Sequence, residues 1–318
     1  MTEHLDTFLE WLGETRGEGT VKSYRYKILA WLAWSAGRPV TDALLREYGR
    51  HIKTRGLRPR TRRVIQAALR VWFDWLVEQK LMKKAPGSHA LDVGRLDPPQ
   101  QALASQAQIA RMWAAADSLP RHNLRARFYR ARTLAVLALA CNAGLRRSEI
   151  LGLNVSDINQ QTTPWAVNIC RGSKGGETRW VPVSAELKRV LKEWLEVRAE
   201  WCREHGHTSD ALLPVDRVRR LSHNGISECV RALRTAAGIP QRLTPHGLRH
   251  DFATHVDAAE GIRTTQELLG HAHRSTTENY IHPSNAAMIR AVNAIPAHLP
   301  QPEQDARARP RFRRWPRK

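Results

Sequence analysis

Apolar side chains in this sequence recur at three- and four-residue spacing through most of its length, and one interval, residues 165–183, breaks that period. Leu5, Phe8, Leu9 and Leu12 open the pattern, and Val21, Tyr24, Ile28, Trp31 and Leu32 continue it, which in each segment is one face of an amphipathic helix. A short helix is expected over residues 43–51. Another is expected from Thr61, whose hydroxyl suits a cap, carrying Ile65, Ala68, Leu69, Trp72 and Leu76 on one face. In the exceptional interval Trp165, Val167 and Ile169 alternate with smaller or polar residues, and a turn containing Gly172, Gly175 and Gly176 precedes Trp180, Val181, Pro182 and Val183. That is a β-hairpin with a glycine-rich tip. The fold class expected is mainly α with one small β-sheet (α+β).

The chain has 318 residues, more than one hydrophobic core usually serves, so two domains are expected. Residues 86–103 include Pro86, Gly87, Pro98 and Pro99 and hold no sustained apolar period, the composition of a linker. The expected division is a helical bundle over 1–88, a linker over 89–103, a second domain over 104–300 and a tail over 301–318. In the second domain helices are expected over 109–118 and 131–143, the latter stopped by Gly144, then from Ser148, over 185–202 and 222–237, from Thr244 with Pro245 at the first helical position, over 264–269, from Ser275 and over 285–295. Residues 306–318 carry seven basic side chains and no acidic one, and such a tail is expected to be disordered until it meets a polyanion.

A formal charge of +21 and a pI near 10.9 favour a polyanionic partner, because each neutralised phosphate releases counterions. Nucleic acid fits best. No stretch approaches the roughly 18 apolar residues of a membrane span, and the first residues lack the basic and apolar regions of a secretory signal. A cytoplasmic, nucleoid-associated protein is expected. Lys53, Arg55, Arg58, Arg60, Arg62 and Arg63 form a basic run on the N-terminal bundle and are the candidate DNA contacts there. Cys141, Cys170, Cys202 and Cys229 show neither CxxC spacing nor the density of a disulfide framework.

Four islands stand apart from this scaffold. They are Gly144 to Glu149 with Arg146 and Arg147 inside, Lys174 in the hairpin turn, Thr244 to His250 with His246 and Arg249 inside, and Leu268 to His271 with Tyr280 nine residues beyond. In that order and spacing they resemble the active-site signature of the tyrosine recombinase (phage integrase) family, and the resemblance covers nearly the whole chain. It implies a SAM-like helical core-binding domain followed by a catalytic domain.

Cleaving a phosphodiester without a metal needs cations against the non-bridging oxygens, a base for the nucleophile's proton and an acid for the leaving oxygen. Arginine suits the first need through its planar fork and permanent charge. His246 and Arg249, three apart on a helix, share a face. The resemblance assigns Tyr280 as nucleophile, Arg146 and Arg249 as the phosphate clamp, His246 as general base or its assistant, Lys174 as the acid for the departing 5′ oxygen, and His271 as a phosphate hydrogen-bond donor. Glu149 would orient the cations, and as a first-turn glutamate it equally suits the helix dipole. Taken alone, Lys174 is an ordinary turn lysine and Tyr280 an ordinary core tyrosine. His246 and His250 have the HxxxH spacing of a zinc pair, but Arg249 stands between them and no carboxylate or thiolate ligand accompanies them. No metal and no cofactor is expected, and His250 and His255 are read as structural.

The resemblance further implies double-stranded recombination sites as partner, a homotetramer on paired sites formed from free monomers or dimers, and accessory DNA-bending proteins. The helix over 285–295, with Met288, Ile289, Val292 and Ile295 on one face, is expected to dock on a neighbouring subunit. Two other readings share these residues: a type IB topoisomerase-like enzyme relaxing one duplex, and a non-catalytic DNA-binding accessory protein.

Overall fold

The computed structural model describes residues 2–95, 104–170, 178–206, 208–215, 219–270 and 284–299. The chain divides into two compact units, Met1–Gln100 and Gln101–Lys318. The hairpin tip with Lys174, the helix expected from Ser275, the segment with His271 and Tyr280, and the basic tail lie outside the described residues.

Unit 1 is built from α1 (Leu5–Thr15), α2 (Glu18–Ser35), α3 (Asp42–Thr54) and α4 (Pro59–Glu78). The apolar faces read from the sequence meet in one core, where Phe8 lies edge-on to Trp72 at 4.9 Å between centroids and Trp31 edge-on to Tyr48 at 5.0 Å. Edge-to-face contact suits the aromatic quadrupole. Thr41 caps α3, its hydroxyl accepting from the Leu44 amide at 3.1 Å.

Helix α4 begins earlier than expected. Pro59 sits in its first turn, where a fixed φ and a missing N–H carry no penalty, so Thr61 lies inside the helix instead of capping it. The first part of the expected linker also belongs to this unit. Ala90 and Leu91 are in the core, and the Gly87 amide donates to Asp42 Oδ1 at 2.8 Å.

Lys53, Arg55, Arg58, Arg60 and Arg63 are exposed along the end of α3 and the start of α4. Arg62 is not. It is 6% exposed, and its guanidinium donates to the Asp92 carbonyl at 3.4 Å. On α4 it faces the same side as Ile65 and Leu69, three and seven residues on, and therefore points inward.

Unit 2 contains α5 (Gln106–Asp117), α6 (Leu124–Cys141), α7 (Arg147–Gly152), β1 (Ile158–Asn159), β2 (Ala166–Ile169), β3 (Arg179–Pro182), α8 (Ala185–His205), α9 (His223–Ala236), α10 (Pro245–Leu269) and α11 (Asn285–Asn293). Helix α6 is the centre, buried continuously from Leu134 to Cys141, and α5, α8, α9 and α10 pack on it. It starts before residue 131 because Asn123 caps it, accepting from the Ala126 amide at 2.8 Å. The hairpin strands pair as expected, with Val167 opposite Val181, and β1 adds a third antiparallel strand. The two helices expected after Thr244 form one run bent at Gly261, which is not helical.

Helix α11 departs from expectation. Met288, Ala291, Val292 and Ile295 are buried in unit 2 itself, and Arg290 pairs with Glu260 of α10 at 2.6 Å. The face expected to meet a neighbouring subunit is covered by its own domain.

Candidate active site

After α6 the chain must reverse to start α7, and it does so through Gly144 at φ +60°, a left-handed conformation that costs other residues about 1–2 kcal/mol. The turn places Arg146 as the residue before α7, with Glu149 three positions on. Glu149 is fully buried, and its Oε2 accepts from the Arg146 amide at 2.7 Å while Oε1 accepts from Arg146 Nη1 at 2.7 Å.

Two further guanidiniums reach the same carboxylate. From β3, Arg179 makes a two-point contact, Nη1 on Oε1 and Nη2 on Oε2, both at 2.9 Å. From the first turns of α10, Arg249 Nη1 donates to Oε2 at 3.5 Å and to the Gly144 carbonyl at 2.6 Å.

The second set of contacts runs to the end of α10. Arg179 Nε donates to the Leu268 carbonyl at 2.8 Å, Arg249 Nη2 to Leu269 at 2.7 Å and Arg146 Nη2 to Gly270 at 3.0 Å. The last carbonyls of a helix have no intrahelical partner and form its negative pole, so three cations at three successive carbonyls satisfy both demands. Gly270 ends the helix at φ +59°, and His271 is the next residue.

Among the described residues, three positive charges thus surround one buried negative charge, a surplus of two. Burial raises the Glu149 carboxyl, but the hydrogen bonds and charge of Arg179 and the Arg146 amide and guanidinium outweigh it, leaving Glu149 below its ordinary range. Burial, then the charges of Arg146 and Arg179, with Glu149 opposing, bring Arg249 down to about 9. It remains a cation at neutral pH. Such a cluster is short of anionic partners, and a phosphodiester would supply one.

His246 lies in the first turn of α10, three residues before Arg249. Its partial burial, then the charges of Arg249, His250 and Arg146, lower its pKa, so at neutral pH the ring is free to accept a proton.

The other histidines of this stretch have different work. His255 Nδ1 meets the Asp251 carbonyl at 2.9 Å and Nε2 meets Gln106 Nε2 at 2.8 Å, tying α10 to α5. Among the described residues no group of three or more His, Cys, Asp or Glu side chains is placed to hold a metal. Arg147 is exposed and donates to Ser227.

The structure therefore brings together Arg146, Glu149, His246 and Arg249, while Lys174, His271 and Tyr280 lie outside the described residues. Arg179 joins the cluster without having been singled out from sequence. An arginine in a strand carries no spacing signal, and its one clue is its place at the start of the second hairpin strand.

The model of the phage integrase family matches residues 103–287, and that of the phage integrase N-terminal SAM-like domain matches residues 5–80. The chain belongs to the phage integrase family. Tyrosine recombinase XerC of Haemophilus influenzae (strain PittEE) is 31% identical over 272 residues, covering 83% of this chain and 86% of that protein. Tyrosine recombinase XerD of Oceanobacillus iheyensis is 30% identical over 223 residues, 70% of this chain and 71% of its own length.

Among solved structures, XerH recombinase bound to palindromic difH in a post-cleavage complex aligns with a TM-score of 0.64 at 20% identity, covering 86% of this chain and 78% of that one. A lambda integrase dimer bound to a COC′ core site aligns at 0.63 and 18% identity, over 86% and 75%. This phage integrase family member shares their fold, a SAM-like helical domain followed by a mostly helical catalytic domain. No helix among its described residues is long and apolar enough to cross a membrane.

Proposed function

We propose that this tyrosine recombinase cuts and rejoins double-stranded DNA at specific sites with the residues of the buried arginine cluster. The Tyr280 oxygen attacks the scissile phosphorus and its proton passes to His246. The bond to the 5′ oxygen breaks, leaving a 3′-phosphotyrosyl link and, after Lys174 gives up a proton, a free 5′ hydroxyl. Arg146, Arg249 and His271 hold the non-bridging oxygens while charge builds on them. The covalent link conserves the energy of the broken bond, so a 5′ hydroxyl from a second duplex can attack it and restore the backbone without ATP.

The observation that carries this reading is the convergence of Arg146 and Arg249 on one buried carboxylate that cannot neutralise them both. The exposed residues Lys53, Arg55, Arg58, Arg60 and Arg63 are the phosphate contacts of unit 1, positioning the duplex without reading bases. Two duplexes, each cut twice, require four active sites, so the working form is a homotetramer on paired sites. A lambda integrase tetramer bound to a Holliday junction is a structural neighbour consistent with that assembly. The setting is the nucleoid, with DNA-bending proteins as accessories, and the outcome is integration or excision of a mobile element or resolution of chromosome dimers. Relaxation of a single duplex fits less well with relatives named XerC and XerD.

Nicked suicide duplexes tiled across the DNA flanking the gene test the reading. The expected result is a protein–DNA adduct that survives denaturation in EDTA on one of them, lost in Tyr280→Phe while the gel shift is kept. An adduct formed by Tyr280→Phe places the nucleophile elsewhere. Binding with no adduct on any duplex favours a non-catalytic accessory protein, and relaxation of supercoils by a protein with no paired sites favours a topoisomerase.

A further inference from the structure

We propose that Arg179 is a positioning residue for strand cleavage, occupying Glu149 and the end of α10 so that the charges of Arg146 and Arg249 remain available to a phosphate; this rests on the recombinase reading. The three arginines of the cluster differ in exposure. The Arg146 side chain is 27% exposed, whereas those of Arg249 and Arg179 are 5% and 9% exposed.

All three guanidinium nitrogens of Arg179 are engaged inside the protein, and of the three arginines it alone grips both oxygens of Glu149 with its side chain. Nε is on the Leu268 carbonyl and both terminal nitrogens are on the two oxygens of Glu149, so both reactive edges of its fork are turned into the protein. It is not placed as a third clamp on the substrate. Its charge instead answers that of Glu149.

The way the carboxylate shares its partners sets how much charge is left for a substrate. Glu149 is buried and ionised, so it must keep at least one cation. With Arg179 in a parallel two-point pair, Arg146 and Arg249 need to give it one contact each. Without Arg179 the nearest replacement is Arg146, already at 2.7 Å, and a guanidinium drawn fully onto Glu149 is drawn away from a phosphate. The loss would fall on the chemical step, since the exposed cations that grip DNA are untouched.

A second observation shows that the fold makes room for this side chain. A β-carbon at Gly270 would stand 3.0 Å from Arg179 Nη1 and 3.1 Å from its Cδ. The glycine that ends the helix in the left-handed conformation also leaves the space that Arg179 occupies.

The test uses the full chain and the suicide duplex on which the unmodified protein forms its adduct. Arg179→Lys keeps the charge but cannot make the fork. It is expected to melt cooperatively, to bind the duplex within about threefold of the parent, and to form adduct at least tenfold more slowly at saturating protein. In a Glu149→Gln background the same change should cost less than threefold, because it acts through Glu149. Adduct formation at the parental rate, or a loss confined to Kd, overturns the proposal. Should Arg179→Lys fail to fold, the paired variant Arg179→Gln/Glu149→Gln decides. A rate within threefold of Glu149→Gln alone supports the role, and a rate more than tenfold below it overturns it. If the unmodified protein gives no adduct on any duplex, the recombinase reading fails and takes this proposal with it, whereas a parental adduct with a fast Arg179→Lys sinks the proposal alone.

Discussion

The ring of Phe252 lies against the backbone of Gly144, so close that a β-carbon there would stand 2.3 Å from Cδ1. Phe252 is fully buried on α10, one turn past Arg249, and Gly144 is the turn that presents Arg146. This contact fixes the distance between the two halves of the cluster. Gly144→Ala combines left-handed strain with overpacking against a ring that has nowhere to go, and should destabilise unit 2 by roughly 2–5 kcal/mol. Trimming the ring with Phe252→Leu should partly relieve it, so chemical denaturation of the double variant should show less than the summed loss. Additive losses would mean that the two sites do not share this contact.

Glu149 makes the cluster sensitive to acid. Its folded pKa is depressed, so its contribution to stability is complete above the ordinary glutamate value of about 4.3 and disappears as pH falls through the lower, folded value. Glu149→Gln leaves the cations without a counter-charge at every pH and should cost about 3–5 kcal/mol at pH 7. Urea unfolding at pH 7 and pH 3.5 checks both parts, because the gap between parent and variant should narrow in acid. An unchanged gap would separate Glu149 from the acid sensitivity.

Much of this was legible in advance because helices and the family's arginine motifs have sequence signatures. The faces of α1, α2 and α4 follow from apolar spacing, and the hairpin from the switch of period at Trp165. The grouping of Arg146 with Arg249, about a hundred residues apart, followed from resemblance to a family signature, since no local rule joins them. Arg179 was illegible for the opposite reason: its role depends on the strand register that brings β3 beside α10. Arg62 was misread because a run of basic residues looks like a surface, although helical phase turns one member inward. The face of α11 was read correctly as apolar, but periodicity cannot tell which subunit will cover it.

His246 should set the acid limb of cleavage. Its pKa is lowered by partial burial and by neighbouring positive charges, so the neutral, proton-accepting ring persists to below the usual value of about 6.5. Single-turnover adduct formation should hold its rate through that pH and fall only at lower pH. His246→Ala should slow cleavage by about 10²–10⁴-fold, the range of general-base contributions, and flatten that limb. A parental profile in the alanine variant would assign the proton to another group.

Arg62 and Arg63 are adjacent in sequence and opposite in exposure, which makes them a controlled pair. Arg63 is exposed at the start of α4; if it meets a phosphate, Arg63→Ala should reduce the slope of log K against log salt by about 0.9 and leave stability within about 0.5 kcal/mol. Arg62 donates to the Asp92 carbonyl, and its Nη2 would stand 2.8 Å from a β-carbon on Gly94, so its work is to hold the segment after α4 against unit 1. Arg62→Ala should therefore destabilise unit 1 by roughly 1–3 kcal/mol through a lost buried hydrogen bond and lost packing, with the salt slope unchanged. Salt titrations of DNA binding alongside thermal melts separate the two. A reduced slope in Arg62→Ala without loss of stability would return Arg62 to the DNA-binding surface.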